Sequence, residues 1–321
     1  MATNELVDRY VNFYTDFAFK KLFGTETNKS LLISFLNALL DGKEIIKDLT
    51  YLNAEQLGMT EYERGAIFDV YCENEKGERF IIEMQKAEQQ FFKDRSVFYS
   101  TFPIRDQAKR GRLWNFQLKA VYTIGILDFC FDDTDPEYFH HEVKLMDTKT
   151  KEVFFDKLTY IYLEMPKFTK TLSELETLFD KWLYAIRHLP DLMERPKELY
   201  EAVFERFFEQ AEIAKFNRQE LQNYEYSLKN FWDWYSIMQT AENKSRAKGL
   251  AEGRAEGRVE GRVEGRVEGL AEGRAEGLAK GRAEGAEEKN KENARKMRLK
   301  GYPVNEISDI TGLSIEEIER L

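Results

Sequence analysis

The sequence predicts an α/β domain with a central mixed β-sheet flanked by helices. Apolar residues first recur at helical spacing, then alternate in several β-forming segments around one helical segment, and finally return to helical spacing. This order of elements is typical of a sheet covered by helices. Aromatic residues make up 14% of the 321 residues and nearly all precede residue 240. We therefore expect one large packed domain followed by a region of different character.

Two helices are expected in residues 4–40. Gly24 is suited to end the first helix, because glycine readily takes the left-handed conformation found at helix C-termini. Asn28 is suited to cap the second, because its side chain can accept a backbone N–H. The second helix has apolar residues at helical spacing, namely Leu31, Leu32, Phe35, Leu36 and Leu39. A first strand is expected within residues 45–57.

A β-hairpin is expected in residues 64–86, whose two arms are rich in β-forming residues. Gly77 lies between the arms and can take the left-handed position that a three-residue hairpin loop requires. If residues 75–77 form this loop, counting back along both arms places Asp69 opposite Glu83.

The predicted hairpin gathers acidic side chains on one face. Side chains alternate along a strand, so Glu83 and Gln85 share a face, which Asp69 can join. Facing carboxylates repel each other, and burying two together without a cation costs roughly several kcal/mol. A divalent ion such as Mg²⁺ removes this conflict. The alternative is that both acids are ordinary surface charges, with Asp69 on an edge strand and Glu83 paired with Lys86.

The remaining domain is expected to contain one further helix, several strands and a helical C-terminal part. The helix and the strands are predicted at residues 88–111, 117–129, 141–147 and 153–164. Pro103 must kink or end the helix, because proline lacks the backbone N–H that a helix uses. From residue 173 to about 245 the pattern is helical, with short breaks at Pro190 and Pro196.

Residues 249–285 form a tetrapeptide repeat in which glycine occupies every fourth position. A period of four overshoots the 3.6 residues of a helical turn, and each interior glycine costs about 1 kcal/mol relative to alanine. An isolated helix here is therefore expected to be marginal. We favour a low-complexity spacer, and the alternative is a closely packed helix pair that uses the glycine stripe.

Residues 290–321 predict a small helical appendix whose spacing resembles a helix-turn-helix. Its turn is expected at residues 312–314, with Ser314 as N-cap. The last helix contains three glutamates that DNA phosphates would repel, so we favour a packing or protein-contact role. We expect three regions: a large α/β domain with C-terminal helices in residues 1–240, the repeat in 241–288 as a linker or long helix, and the appendix in 289–321.

The net charge of −10 argues against nucleic-acid binding when it is taken alone. The local electrostatic field at a binding surface, however, matters more for nucleic-acid contacts than the net charge of the whole chain. Residues 81–119 contain eight basic and four acidic residues. This basic stretch begins at the acids of the predicted hairpin.

A cytoplasmic protein without membrane contact is expected. The first twenty residues carry charges throughout, and the apolar stretch at 31–40 is too short to span a bilayer. Cys72 and Cys130 each stand alone in the sequence, which fits a reducing compartment. His140 and His141 resemble a ligand pair, but neighbours on a strand point to opposite faces, so we expect no zinc site there.

The spacing of Asp69, Glu83 and Gln85 resembles the PD-(D/E)XK phosphodiesterase motif, with glutamine replacing the usual lysine. Residues 15–24 (TDFAFKKLFG) and 92–99 (FKDRSVFY) are similar to the recombination-promoting nuclease, or PD-(D/E)XK nuclease family transposase, group. The resemblance covers roughly residues 10–235. It implies a restriction-endonuclease-like core, and the glycine repeat and the tail also resemble those of the group.

The resemblance implies a DNA endonuclease that cuts phosphodiester bonds with Mg²⁺ or Mn²⁺ and promotes recombination or mobile-element movement. Asp69 and Glu83 would bind the metal, with the Met84 carbonyl as a further ligand. Asp16 matches the N-terminal acid of the group and would hold a metal-bound water. Phosphate contacts are expected from Lys20, Lys86, Arg95 and Gln107.

The glutamine at position 85 leaves two further hypotheses open. Lysine there would orient water and offset charge, whereas glutamine can orient but not neutralise. The missing charge would come from a second metal or from Lys86, Lys93 or Arg95. One alternative function is a catalytically weak or inactive DNA-binding or scaffold protein that retains the nuclease fold. In another, the repeat and tail mediate assembly, and the sequence does not decide whether the protein is a homo-oligomer.

Overall fold

The chain begins with two helices in the computed structural model, which describes residues 8–56, 65–87, 89–108, 115–131 and 135–321. Helix α1 spans Asp16–Phe23 and α2 spans Lys29–Leu40. The Thr15 hydroxyl accepts the Ala18 N–H, which is why α1 begins later than the sequence predicted. Gly24 ends α1 as expected, but with φ −104° and not in the left-handed conformation. The first residues of the predicted range, 4–7, lie outside the described residues.

Eight strands follow in the described residues, six of them in one mixed sheet. They are β1 Leu49–Tyr51, β2 Glu55–Gln56, β3 Ala66–Ile67, β4 Val70–Asn74, β5 Arg79–Gln85, β6 Val121–Leu127, β7 His140–Met146 and β8 Val153–Glu164. The sheet order is β1-β4-β5-β6-β8-β7, and β2 pairs with β3 separately. Strands β5, β6 and β8 run parallel, and the other pairs are antiparallel. The predicted mixed sheet is therefore confirmed.

The hairpin of β4 and β5 has the predicted register. The Asn74 N–H donates to the Glu78 carbonyl at 3.0 Å, and the Gly77 N–H donates to the Asn74 carbonyl at 3.0 Å. Gly77 has φ +81°, the left-handed conformation that the three-residue loop requires. Val70 pairs with Ile82, and the next step of this register sets Asp69 against Glu83.

Helices cover both faces of the sheet. On one face lies α3, Phe92–Arg105, whose Phe102 packs with Phe68, Tyr71 and Ile81. Pro103 lies within α3, which ends two residues later, as the sequence predicted. On the other face α1 and α2 pack with α4, Leu178–His188, and α5, Ala202–Ala211. Residue 88 and residues 109–111 of the predicted helix lie outside the described residues.

Trp182 is the centre of the aromatic core on the second face. Its ring contacts four phenylalanines, namely Phe23, Phe35, Phe204 and Phe207. Edge-to-face aromatic pairs of this kind each stabilise a core by about 0.5–1.5 kcal/mol beyond burial. The core joins α1, α2, α4 and α5 and thereby fixes α1 against the sheet.

The chain divides into two compact units, Met1–Ser236 and Ile237–Leu321. Helix α6 spans Arg218–Leu299 and includes the glycine repeat. The segment is thus helical where the sequence analysis favoured a spacer, and its alanines, arginines and glutamates are strong helix formers that offset the glycines. Apart from the neighbouring backbone of the helix itself, no described atom lies within 4 Å of a Cβ placed on any repeat glycine. The role of the repeat stays a prediction.

The second unit has a small apolar core near its C-terminus. Helices α7, Val304–Thr311, and α8, Ile315–Glu319, are joined at Gly312, which has φ +71°. The Ser314 side chain caps α8, as predicted. The core consists of Ala294, Ile307, Leu313 and Ile318. Among the described helices, none combines the length and apolar content that crossing a bilayer requires.

Candidate active site

Four predicted site residues meet where the β4–β5 hairpin opens. The Met84 N–H donates to Asp69 Oδ2 at 2.9 Å, and the Asp69 N–H donates to Glu83 Oε1 at 3.3 Å. The Gln85 amide donates to Glu83 Oε2 at 3.3 Å. Each carboxylate is thus held by a backbone N–H of the opposite arm. Asp69 lines the cleft beside α1 and Glu83 lines the small cavity beneath α3, so the shared face expected from sequence stays a prediction.

Side-chain alternation along β5 explains this placement. Phe80, Ile82 and Met84 point into the core beneath α1 and α2. Ile81 and Glu83 point to the other face, where α3 covers them. Glu83 is therefore only 8% exposed. The Met84 side chain points into the core. Its backbone carbonyl is therefore the Met84 group that could serve as a ligand at this site.

The electrostatics of the pair are unfavourable without a cation. Burial, with the Asp69 carboxylate as the second cause, raises the pKa of Glu83 to about 8. Burial also raises the pKa of Asp69, against the opposing effect of the Met84 N–H. Desolvation and like charge both disfavour the ionised forms. The two groups hold protons more tightly than ordinary carboxyls, and a divalent cation can replace those protons.

The donor set fits a hard divalent ion. Within the described ranges, no group of three or more His, Cys, Asp and Glu side chains is arranged to hold a metal. Asp69 and Glu83 are the two carboxylates that the hairpin hydrogen bonds bring together. Mg²⁺ commonly takes one or two carboxylates and completes its shell with water and substrate phosphate. A softer ion such as Zn²⁺ prefers nitrogen and sulfur ligands.

Asp16 and Lys20 line the same cleft as Asp69. Lys20 Nζ lies 2.7 Å from Asp16 Oδ1, one helical turn apart on α1. Both side chains are partly exposed, so this ion pair contributes little to stability. The Asp16 carboxylate also raises the pKa of Asp69, which places its charge within electrostatic range of the carboxylate pair.

Lys86 and Arg95 are two further cations near the carboxylates. Lys86 lines the cleft with Asp69, and its ammonium lies 5.0 Å from the centre of the Phe231 ring. Burial lowers the pKa of Lys86. Arg95 of α3 borders the small cavity that Glu83 also lines, and donates to Gln89 at 2.5 Å.

Three of the eight basic residues in the stretch 81–119 lie outside the described residues. These are Lys109, Arg110 and Arg112.

Gln107 does not join the site. Its side-chain oxygen accepts the backbone N–H of Lys119 at 2.7 Å, and its side-chain NH₂ donates to the backbone carbonyl of Lys119 at 3.3 Å. Lys119 precedes β6, whose first residue Val121 pairs with Arg79 at the start of β5. Gln107 therefore lies near the end of the sheet opposite to Glu83, and the structure gives it a backbone-holding role.

The two adjacent histidines face different neighbours, as alternation predicts. His141 Nε2 lies 3.0 Å from Glu164 Oε1. The ring of His140 packs 5.3 Å from that of Phe179. Their side chains do not converge on a common ligand position.

The sequence analysis missed one wall of the cleft. Side chains near the start of α6 contribute Glu220, Asn223, Tyr226, Ser227 and Asn230. The sequence does contain a pattern that predicts this wall. The polar residues recur three or four positions apart, and the apolar residues between them, Tyr224, Leu228 and Phe231, lie on the core side. The pattern indicates an amphipathic helix, but only the fold brings it beside α1.

One comparison with known proteins identifies the family. The model of the PD-(D/E)XK nuclease family transposase matches residues 13–241, which is more than two thirds of the chain. No curated protein and no solved structure matches it. The match includes α1 and the whole mixed sheet, so it contains the interlocked carboxylates and the cleft beside them. The chain belongs to the PD-(D/E)XK nuclease family transposases.

Proposed function

We propose that the protein is a metal-dependent DNA endonuclease that promotes recombination or mobile-element movement. The observation that supports it most is that the Met84 and Asp69 N–H groups hold the Asp69 and Glu83 carboxylates at the same opening of the hairpin. Burial and the Asp69 carboxylate raise the pKa of Glu83, which also raises its affinity for a proton. Family membership supports the nuclease class, whose members typically use divalent metals. Mg²⁺ is the proposed ion, and Mn²⁺ can take the same oxygen ligands.

Asp69 and Glu83 bind the ion in this proposal, with the Met84 carbonyl as a third protein ligand. A bound Mg²⁺ polarises the scissile phosphoryl group and makes a water molecule more acidic. Gln85 is held against Glu83, so its amide can orient a water molecule toward the phosphorus atom. Asp16 lies on the cleft side of the pair and can accept a hydrogen bond from water.

Lys86 is the residue proposed to supply the charge that Gln85 lacks. It follows Gln85 directly, and its ammonium lies in the cleft with Asp69. The Phe231 ring holds the ammonium by a cation–π contact. A phosphate that enters the cleft offers a stronger partner, because a full negative charge replaces a ring quadrupole.

A charge exchange between positions 85 and 86 tests this role. Lys86→Gln is expected to lower the cleavage rate by roughly 10- to 100-fold, because one cation at the transition state is removed. Gln85→Lys is expected to keep or raise activity, and the double variant Gln85→Lys/Lys86→Gln to recover most of the lost rate. Initial rates of plasmid nicking give the comparison. A double variant as slow as Lys86→Gln would contradict the proposed exchange.

The neutral Gln85 also favours a second candidate, a DNA-binding protein that retains the fold without turnover. A third candidate assigns the main property to the repeat and tail. A chain that ends at about residue 240 separates these candidates, because it keeps the whole first unit. We expect it to nick plasmid DNA within about threefold of the full chain, since every proposed catalytic group is retained. Loss of nicking with intact folding by circular dichroism would favour the third candidate.

A further inference from the structure

The cleft beside the carboxylates is a substrate-sized space within the first unit. Its volume is about 1000 Å³, and its lining includes Asp69 and Lys86. Ligand sites of roughly 300–1,000 Å³ hold molecules of small-drug size. The cleft therefore suits one or a few nucleotides, and it is small for a segment of double helix.

The lining of the cleft offers little free positive charge. Of its three lysines, Lys20 is paired with Asp16 at 2.7 Å and Lys21 with Glu220. Proteins that grip duplex DNA neutralise several phosphates with Lys and Arg side chains. The described lining contains only Lys86 as a cation outside such an ion pair. Recognition in this space therefore needs contacts beyond the single phosphate that Lys86 can bind.

Uncharged hydrogen-bonding side chains are the largest group in the lining. They are Thr25, Thr27, Asn28, Asn53, Gln210, Asn223, Tyr226, Ser227 and Asn230. Amide side chains both donate and accept, which matches the edges of nucleic-acid bases. The pairing edges of bases are accessible where the bases are unpaired.

One face of α6 combines amides with an exposed aromatic ring. Asn223, Tyr226 and Asn230 recur at spacings of three and four, so they lie on one side of the helix. Tyr226 is 70% exposed, and within the described chain its ring packs on no other aromatic ring. Neighbouring Tyr224 is buried on the core side. An exposed tyrosine that lines a cleft is suited to stack on a base.

We propose that this cleft binds an unpaired nucleotide next to the scissile phosphate, with the Tyr226 ring stacked on a base and the Asn223 and Asn230 amides on base edges. The inference rests on the proposed nuclease function, since it names the substrate of that site. The unpaired nucleotide has two sources, a single strand or a base extruded from a duplex. Both present the same face and edge to the cleft.

Binding of labelled oligonucleotides to the full chain tests the inference, with Ca²⁺ replacing Mg²⁺ so that the readout is affinity alone. The probes are a single strand, its intact duplex, and the same duplex with one unpaired nucleotide. We expect at least one unpaired probe to bind roughly 10-fold or more tightly than the intact duplex, since stacking requires an accessible base face. Tighter binding of the interrupted duplex identifies extrusion as the source, and tighter binding of the single strand identifies strand binding.

Variants of Tyr226 assign the effect to the ring. Tyr226→Ala is expected to weaken binding of the preferred probe roughly 5- to 150-fold, the range for loss of one base-stacking contact. Tyr226→Phe keeps the ring and should stay within about twofold of wild type. Tyr200→Ala is the matched control, because Tyr200 is 62% exposed and does not line the cleft.

Three results overturn the inference: equal affinity for intact duplex and unpaired probes, wild-type binding by Tyr226→Ala, or no measurable binding of any probe. The nuclease proposal is tested separately by cleavage in Mg²⁺. Cleavage without a preference for unpaired probes refutes this inference alone. A preference without cleavage refutes the nuclease proposal alone.

Discussion

Purified Asp69→Ala and Glu83→Ala proteins are expected to lose Mg²⁺-dependent nicking of supercoiled plasmid DNA, by roughly 10²- to 10³-fold or more. Each substitution removes one of the two proposed acidic ligands, which the hydrogen bonds of the hairpin bring together. Without the proposed ion, the negative charge that develops on the phosphoryl group in the transition state is less stabilised. Such electrostatic stabilisation is among the largest single contributions to catalysis. Gel assays of nicked and linear plasmid measure the effect.

Two further variants exclude misfolding as the cause of this loss. Glu83→Gln keeps the acceptor that receives the Asp69 N–H and is expected to be as inactive as Glu83→Ala. Asp156→Ala removes an exposed carboxylate from β8, outside the cleft, and is expected to retain wild-type activity. Undiminished cutting by either Asp69→Ala or Glu83→Ala would refute the assignment of the metal ligands.

The same carboxylates are expected to destabilise the metal-free protein as pH rises. The pKa of Glu83 is raised from 4.5 to about 8 in the folded state. Between these values the folded protein holds a proton that the unfolded chain has released, so the free energy of unfolding falls with increasing pH. One pKa unit corresponds to about 1.4 kcal/mol, and we expect a loss on the order of 2 kcal/mol between pH 5 and pH 8.

Glu83→Gln is the matched variant for this prediction, because it removes the charge and keeps the shape. Urea unfolding in EDTA at both pH values should show a smaller loss of stability for the variant than for wild type. At the higher pH, Mg²⁺ should restore stability to wild type by mass action and leave the variant nearly unchanged. The same pH dependence in both proteins would mean that Glu83 is not the group responsible.

The hairpin could be predicted from sequence because local rules decide it. Gly77 fixes the loop, the loop fixes the register, and the register sets Asp69 against Glu83. The Met84 N–H that holds Asp69 follows from the same pairing. The end of α1 at Gly24 was likewise predicted, whereas its start after Thr15 was missed, although that cap also depends on neighbouring residues.

Other features depend on contacts that are distant in sequence. Tyr226 and Asn230 reach the cleft because α6 packs beside α1, for example where the Ser227 hydroxyl accepts the Phe17 N–H. Gln107 resembled a phosphate ligand by its position in the sequence, but its pairing with Lys119 takes it to the other end of β5. Such outcomes follow from how whole elements pack and cannot be obtained from spacing.

The most direct test of the account is a crystal structure of the full chain grown with Mn²⁺, whose anomalous scattering locates the ion. The account predicts a peak between Asp69 and Glu83, with one oxygen of each and the Met84 carbonyl at about 2.0–2.3 Å. A map from Mn²⁺-containing crystals with no peak between these two carboxylates, or with the ion bound elsewhere, would contradict it.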